Sequence, residues 1–113
     1  MDPVAPTEGL AERREVVLAA QLDTPTRSRL AVTKELGASG ARLLSMGRFQ
    51  PGEVVVLWML VAGTHSKVRA EGRVVRAEPF NVSGPWRCLL TVDFDEPLDE
   101  ESAALLLSGD PGE

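Results

Sequence analysis

The sequence has few of the residues from which common catalytic and metal sites are built. Its 113 residues include one cysteine, Cys88, and one histidine, His65. A single cysteine cannot form an intramolecular disulfide, and one histidine with one distant cysteine is too few ligands for zinc. No glycine-rich phosphate loop of the Walker type is present. We therefore expect a non-enzymatic protein, without a catalytic or metal site, whose thiol is buried in a reducing compartment.

Long apolar segments are also missing. The longest apolar run, Val54–Ala62, has nine residues, whereas a membrane-spanning helix needs about 20. The first residues, 1–12, contain two prolines and no apolar stretch, which is unlike a signal peptide. These features predict a cytoplasmic protein without a membrane span.

A surplus of basic residues is absent as well. Seventeen acidic and 12 basic side chains give a formal net charge of -5. Proteins that bind DNA or RNA through the phosphate backbone need a basic surface, so neither polymer is expected as a partner. A small anionic ligand held by two or three local arginines remains open.

The chain does contain short segments rich in valine and leucine, separated by turns that carry glycine and proline. Such segments predict β-strands. The second segment, Arg29–Leu36, alternates, with Leu30, Val32 and Leu36 on one face. The fourth, Val54–Ala62, shows no alternation and is expected to be buried on both faces. In the fifth, the Val74–Val75 pair after Gly72 predicts a bulge. The six expected strands are Glu15–Leu22, Arg29–Leu36, Ala41–Met46, Val54–Ala62, Lys67–Glu78 and Trp86–Glu96.

A short helix is expected after the last strand. Asp99 is a good N-cap for the segment 100–107, and Leu98 and Ala103 occupy the two positions of a hydrophobic staple. Six closely spaced strands and one helix predict a mainly β fold, a six-stranded antiparallel barrel with a C-terminal helix. We place this domain at residues 13–108, between a flexible N-terminal tail, 1–12, and a C-terminal tail, 109–113.

The order of these elements resembles that of the PilZ domain family. Two local features add to the resemblance: the turn Glu35–Gly40 in the second hairpin, and the acidic-aromatic segment 92–97 just before the helix. The resemblance implies a PilZ-like barrel and cyclic di-GMP as a possible ligand, with no other cofactor. The family binds this ligand through an Arg-x-x-x-Arg motif near the first strand and an Asp/Asn-x-Ser-x-x-Gly motif at the second hairpin. Arginine suits phosphate and guanine edges because it is a planar, permanently charged donor.

Both motifs are degenerate in this chain. Glu35 stands where the family has Asp or Asn, Gly37 replaces the serine, and only Gly40 matches. The arginines at positions 13 and 14 lie where the first motif is expected, but no arginine follows four residues later. Arg27, in the turn before the second strand, is a further candidate that could approach the Glu35 end. The candidate ligand-binding residues are therefore Arg13, Arg14, Arg27, Glu35, Gly37 and Gly40.

The degenerate motif favours a divergent PilZ module that is linked to cyclic di-GMP regulation and acts through a protein partner. Direct nucleotide binding is expected to be weak or lost, and a role in motility is one option that the family implies. The alternative is a cyclic di-GMP receptor with a rearranged arginine site. Phe49 and Phe80, each close to a turn proline, are candidate exposed contact residues.

Overall fold

The computed structural model of the protein describes residues 13–81 and 83–107. Its elements confirm the mainly β fold and the C-terminal helix. No helix in these two ranges is long and apolar enough to cross a membrane. The elements are β1 Arg14–Glu15, β2 Ala19–Thr24, β3 Arg27–Gly37, β4 Gly40–Ser45, β5 Val54–Leu60, β6 Lys67–Pro79, β7 Cys88–Phe94 and α1 Glu100–Leu107.

The strands form one antiparallel sheet in the order β1-β3-β2-β5-β6-β7-β4. An additional pairing of β3 with β4 closes strands β2 to β7 into a barrel, which confirms the predicted six-stranded antiparallel architecture. The short strand β1 lies outside this ring and pairs with the end of β3, where Arg14 is opposite Leu36. Closure removes most free sheet edges, so the barrel offers little backbone for strand addition.

The first predicted strand, Glu15–Leu22, is wrong in one respect because the structure divides it into β1 and β2. The break is stabilised by a buried side chain of β3. The Thr33 hydroxyl accepts a hydrogen bond from the backbone N–H of Leu18 at 2.8 Å and donates to the carbonyl of Val16 at 2.6 Å. The Thr33 side chain thus bonds β3 to the segment that joins β1 and β2. The buried hydroxyl has both its donor and its acceptor paired.

The prediction that Leu30, Val32 and Leu36 share one face of β3 was also wrong. The register of β3 against β4 shifts between Thr33 and Glu35, which marks a bulge at Lys34. Ala31 and Thr33 are buried on one side of the bulge, whereas Leu36 is buried on the other. The extra residue changes which side chains point inward. As a result Leu30 is 58% exposed on the outer surface.

The prediction that β5 is buried on both faces was likewise wrong. Val55, Leu57 and Met59 are buried in the barrel, while the side chains between them, including Trp58, are only half-buried. A small barrel has one interior, and within residues 13–81 and 83–107 no second layer covers the outer face of β5. The apolar outer face of this strand is therefore surface.

The interior is filled by leucine, valine and alanine from every barrel strand, and α1 contributes Leu106, which is fully buried. The helix begins as predicted, because Asp99 Oδ1 accepts a hydrogen bond from the backbone N–H of Ser102 at 2.6 Å. That bond lowers the pKa of the Asp99 carboxyl. In β7, Cys88 is buried as predicted and Leu90 is also buried, whereas Trp86, with which the sixth predicted strand begins, precedes β7 and is half-buried.

The bend predicted in β6 is confirmed. The register of β6 against β7 shifts between Val74 and Arg76, which places the bulged residue at Val75. Just before the bulge, Gly72 lies against the backbone of Asp93 so closely that a Cβ there would overlap the Asp93 carbonyl oxygen. Gly72 therefore allows two strands to approach where the barrel turns its corner.

Substitution Gly72→Ala is expected to destabilise the fold by about 1–3 kcal/mol, because the added methyl group meets backbone that cannot move aside. Chemical denaturation monitored by tryptophan fluorescence would measure the change. Glu71→Ala, at an exposed position of the same strand, is the control and should change stability by less than about 0.5 kcal/mol. Equal stability of the two variants would contradict the close strand contact.

Candidate ligand-binding site

The second hairpin brings an acidic and a basic side chain together. Gly37 and Gly40 pair across a turn of two residues, and Glu35 then lies directly opposite Arg42. The two charged side chains are on the outer face of the barrel, where both are about one-third exposed. The hairpin register therefore creates a cross-strand ion pair at the position of the degenerate motif.

Arg13 completes a cluster of three charges with this pair. The Glu35 carboxylate lies 3.8 Å from Arg13 Nη1 through one oxygen and 3.7 Å from Arg42 Nη1 through the other. Only 8% of the Arg13 side chain is exposed. Burial lowers the pKa of the Arg13 guanidinium, Glu35 opposes this shift and Arg42 adds to it. Arginine nevertheless stays protonated, so a largely buried positive charge is compensated by Glu35 and, to a smaller extent, by Asp93.

The charge cluster forms one wall of a cleft with a volume of about 670 Å³. This volume is within the range of small-molecule sites. The walls carry three arginines and two glutamates, and the arginine and glutamate from β6 are paired with each other at 2.6 Å. The lining residues are Arg13, Glu35, Arg42, Val75, Arg76, Glu78 and Thr91.

Of the predicted arginines, the structure places only Arg13 beside Glu35. Arg14 is exposed on β1 and forms no ion pair within the described ranges. The expectation that Arg27 could approach Glu35 was wrong. Arg27 begins β3, eight residues before Glu35, which at about 3.3 Å per residue is about 26 Å away. It pairs instead with Glu53 at 3.1 Å.

Arg27 also explains why one predicted contact residue is buried. Its guanidinium lies 4.1 Å from the centroid of the Phe49 ring, and Phe49 is only 3% exposed. Phe49 is therefore a core residue, and the prediction that it is exposed was wrong. Phe80, in contrast, is 51% exposed.

The motif glycine that the chain keeps, Gly40, has a structural explanation. A Cβ on Gly40 would lie 2.6 Å from the carbonyl oxygen of Val92, so the close approach of β7 requires glycine there. Neither Gly37 nor Gly40 has a positive φ. The turn between them is held by its carbonyl groups, since Ala38 O accepts from Leu98 N at 2.8 Å and Ser39 O from Phe94 N at 2.9 Å. The surviving Gly40 thus serves barrel closure.

Sequence reasoning missed Arg42 and Arg76. Arg42 could have been found by counting outward from the Gly37–Gly40 pair, which places position 42 opposite position 35. Arg76 is harder to find, because the direction of its side chain depends on which residue of the predicted Val74–Val75 bulge is the extra one. In the described ranges, no group of three or more His, Cys, Asp or Glu side chains is arranged to hold a metal ion.

Comparisons with known proteins agree with this architecture. The PilZ domain family matches residues 10–108 of the chain. Among solved structures, the chain is similar to the Bacillus subtilis inhibitor of motility MotI/DgrA, with a TM-score of 0.63 and 21% sequence identity. The match covers 86% of this chain and 47% of that one, so the chain spans about half of that structure. No curated protein matches the sequence. Because the family match covers nearly the whole chain and the barrel has the expected architecture, the protein belongs to the PilZ domain family.

Proposed function

We propose that this PilZ domain is a non-catalytic adaptor that acts through contact with a protein partner, and that its direct binding of cyclic di-GMP is weak or lost. The observation that carries the proposal is the position of the Glu35 carboxylate between Arg13 and Arg42. The anion at the motif hairpin is a side chain of the protein itself. PilZ domains are generally binding or adaptor modules, which agrees with a non-catalytic role.

The internal anion opposes a nucleotide in two ways. A ligand phosphate beside Arg13 would have to displace Glu35 or remain close to its negative charge, and like charges at short distance repel. Displacement would also separate Glu35 from Arg13, whose side chain is only 8% exposed. Breaking such a pair is costly because the remaining buried charge loses its partner. In addition, Gly37 offers no hydroxyl group where the family motif has serine.

The structural neighbour suggests the setting in which such an adaptor works. MotI/DgrA is described as an inhibitor of motility. At 21% identity the likeness establishes a shared fold, and we extend the setting to this chain as part of the proposal. The regulated process is then bacterial surface behaviour linked to cyclic di-GMP, with motility as the first process to examine.

A second candidate is a cyclic di-GMP receptor with a rearranged site. It is favoured by one observation, the cleft of about 670 Å³ in which Arg42 and Arg76 accompany Arg13. These arginines are on β4 and β6, outside the positions of the family motif. In this alternative they would replace the missing second arginine.

Affinity capture from the host organism distinguishes the two candidates. The tagged protein is incubated with lysate with no nucleotide, with about 10 μM cyclic di-GMP, or with GTP at the same concentration as a control. This concentration lies above the dissociation constant of about 1 μM expected for an intact site. It lies below the dissociation constant of about 100 μM to 10 mM that we expect for this chain. An adaptor should recover the same partner in equal amounts under all three conditions. A partner that is recovered only with cyclic di-GMP would favour the receptor.

A further inference from the structure

A second surface of the barrel, which shares no lining residue with the cleft at the charge cluster, has the form of a docking groove. It lies across β3, β2 and β5 and encloses about 410 Å³. Small residues of β2, including Ala19, form its floor, while Leu30 of β3 and Trp58 and Leu60 of β5 form its sides. The difference in side-chain size between β2 and its neighbours creates the depression.

The polar groups inside this groove are bonded to one another. The Asp23 carboxylate accepts hydrogen bonds from Ser28 Oγ at 2.6 Å, Gln21 Nε2 at 2.8 Å and Trp58 Nε1 at 3.1 Å. These donors lower the pKa of Asp23, with the Ser28 bond as the largest cause. The bond from Nε1 holds the Trp58 ring in place, and the three donors together partly offset the Asp23 charge. The groove therefore presents apolar walls that are already ordered, which reduces the cost of binding.

One charge at the groove is not paired. Lys67 of β6 lines the groove and is exposed, and it forms no ion pair within the described ranges. Next to it, Arg69 lies 5.9 Å from the centroid of the Trp58 ring and is paired with Glu71. Because Arg69 is paired with Glu71, and the charge of Lys67 is only the smallest cause of the lowered pKa of Asp23, the positive charge at the β6 end of the groove is that of Lys67. The charge near the groove determines which partner is attracted, because electrostatic interactions in solution are screened beyond a Debye length of about 8 Å at physiological ionic strength. The net charge of -5 therefore acts only weakly at this site.

We propose that this groove receives a bulky apolar side chain of a protein partner, in a segment whose neighbouring acidic residue pairs with Lys67. The inference rests on the proposed adaptor function and supplies its contact surface and the chemistry of its partner. A second copy of this chain fits less well. In a symmetric dimer the same patch would have to supply the acidic partner of Lys67, and the acidic residue that lines the groove, Asp23, is already bonded to three donors.

Two synthetic peptides test the proposal directly. One is a blocked hexapeptide with a central Leu-Phe pair flanked on each side by two glutamates, and the other has lysines at the flanking positions. The readout is the NMR chemical shift of the Trp58 indole N–H, with the Trp86 indole as an internal control. The acidic peptide should give a saturable shift with a dissociation constant on the order of 1 mM. The basic peptide should bind at least about tenfold more weakly.

Charge-reversal variants of β6 provide matched controls. Lys67→Glu should weaken binding of the acidic peptide about tenfold, because it replaces an attraction with a repulsion. Arg73→Glu makes the same change in net charge at another exposed position of the strand that does not line the groove, and it should leave the affinity unchanged. Leu30→Ser should abolish the saturable shift. Because all three positions are exposed, the melting temperatures should equal that of the unmodified protein.

Several results would overturn the inference. They are equal affinity for the two peptides, equal effects of Lys67→Glu and Arg73→Glu, and a shift that appears only at Trp86. Light scattering that shows a dimer disrupted by Leu30→Ser would assign the groove to a second copy instead.

The groove and the adaptor function can fail separately. Peptide binding together with low-micromolar cyclic di-GMP binding would refute the adaptor alone, whereas nucleotide-independent partner capture that survives Leu30→Ser would refute the groove alone.

Discussion

Cyclic di-GMP should not bind the unmodified protein at low micromolar concentration. A hydrogen bond to a charged group contributes about 1.5–3 kcal/mol and a neutral one about 0.5–1.5 kcal/mol. The chain lacks a second motif arginine and the motif serine, which Gly37 replaces. Together with the misfit of Glu35, the missing contributions sum to about 3–5 kcal/mol. That corresponds to two to four decades in the dissociation constant, so an intact site of about 1 μM would weaken to about 100 μM to 10 mM.

Calorimetric titration of the full chain checks this expectation, and variants of the hairpin separate the contributions. Glu35→Asp combined with Gly37→Ser should not restore low-micromolar binding, because the arginines contribute more than the hairpin residues. Glu35→Gln removes the internal anion between Arg13 and Arg42, and it should strengthen binding by no more than about tenfold. Low-micromolar binding by the unmodified protein would contradict the adaptor proposal, and Arg13→Ala and Arg14→Ala would then be the first variants to titrate.

Leu90→Ala should destabilise the barrel by about 2–5 kcal/mol. Leu90 is fully buried in the middle of β7, where it lies opposite Leu43 of β4 and Ala77 of β6. Removing its isopropyl group leaves a cavity between strands that are fixed by their hydrogen-bond ladders, so the neighbours can close it only in part. Urea denaturation of the two proteins gives the difference in the free energy of unfolding.

Leu30→Ala is the matched control for this measurement. It makes the same chemical change at a leucine that is 58% exposed, and it should cost less than about 1 kcal/mol. A cost below about 0.5 kcal/mol for Leu90→Ala would mean that the side chain is not in the core. A large cost for Leu30→Ala would mean that the first half of β3 faces inward after all.

The sequence by itself determined the elements and their order. Turn residues such as Pro51 and Gly52 divide the chain into short β-prone segments, and Asp99 marks the start of the helix through local hydrogen-bond chemistry. These signals act over a few residues, so they can be identified without knowing the rest of the fold. The closeness of Glu35 to Arg42 is also a local property, since it follows from the register of one hairpin.

Only the tertiary structure decided which faces are buried and which charges meet. The bulge at Lys34 reverses the inner face of β3, and the break after β1 depends on Thr33, which is far along the sequence from Leu18. Barrel closure leaves the outer face of β5 as surface, although its composition suggests a fully buried strand. Arg13 joins Glu35, while Arg27 is held about 26 Å away by the length of one strand. Such outcomes depend on pairing between distant segments, and a single sequence carries no local signal for that pairing.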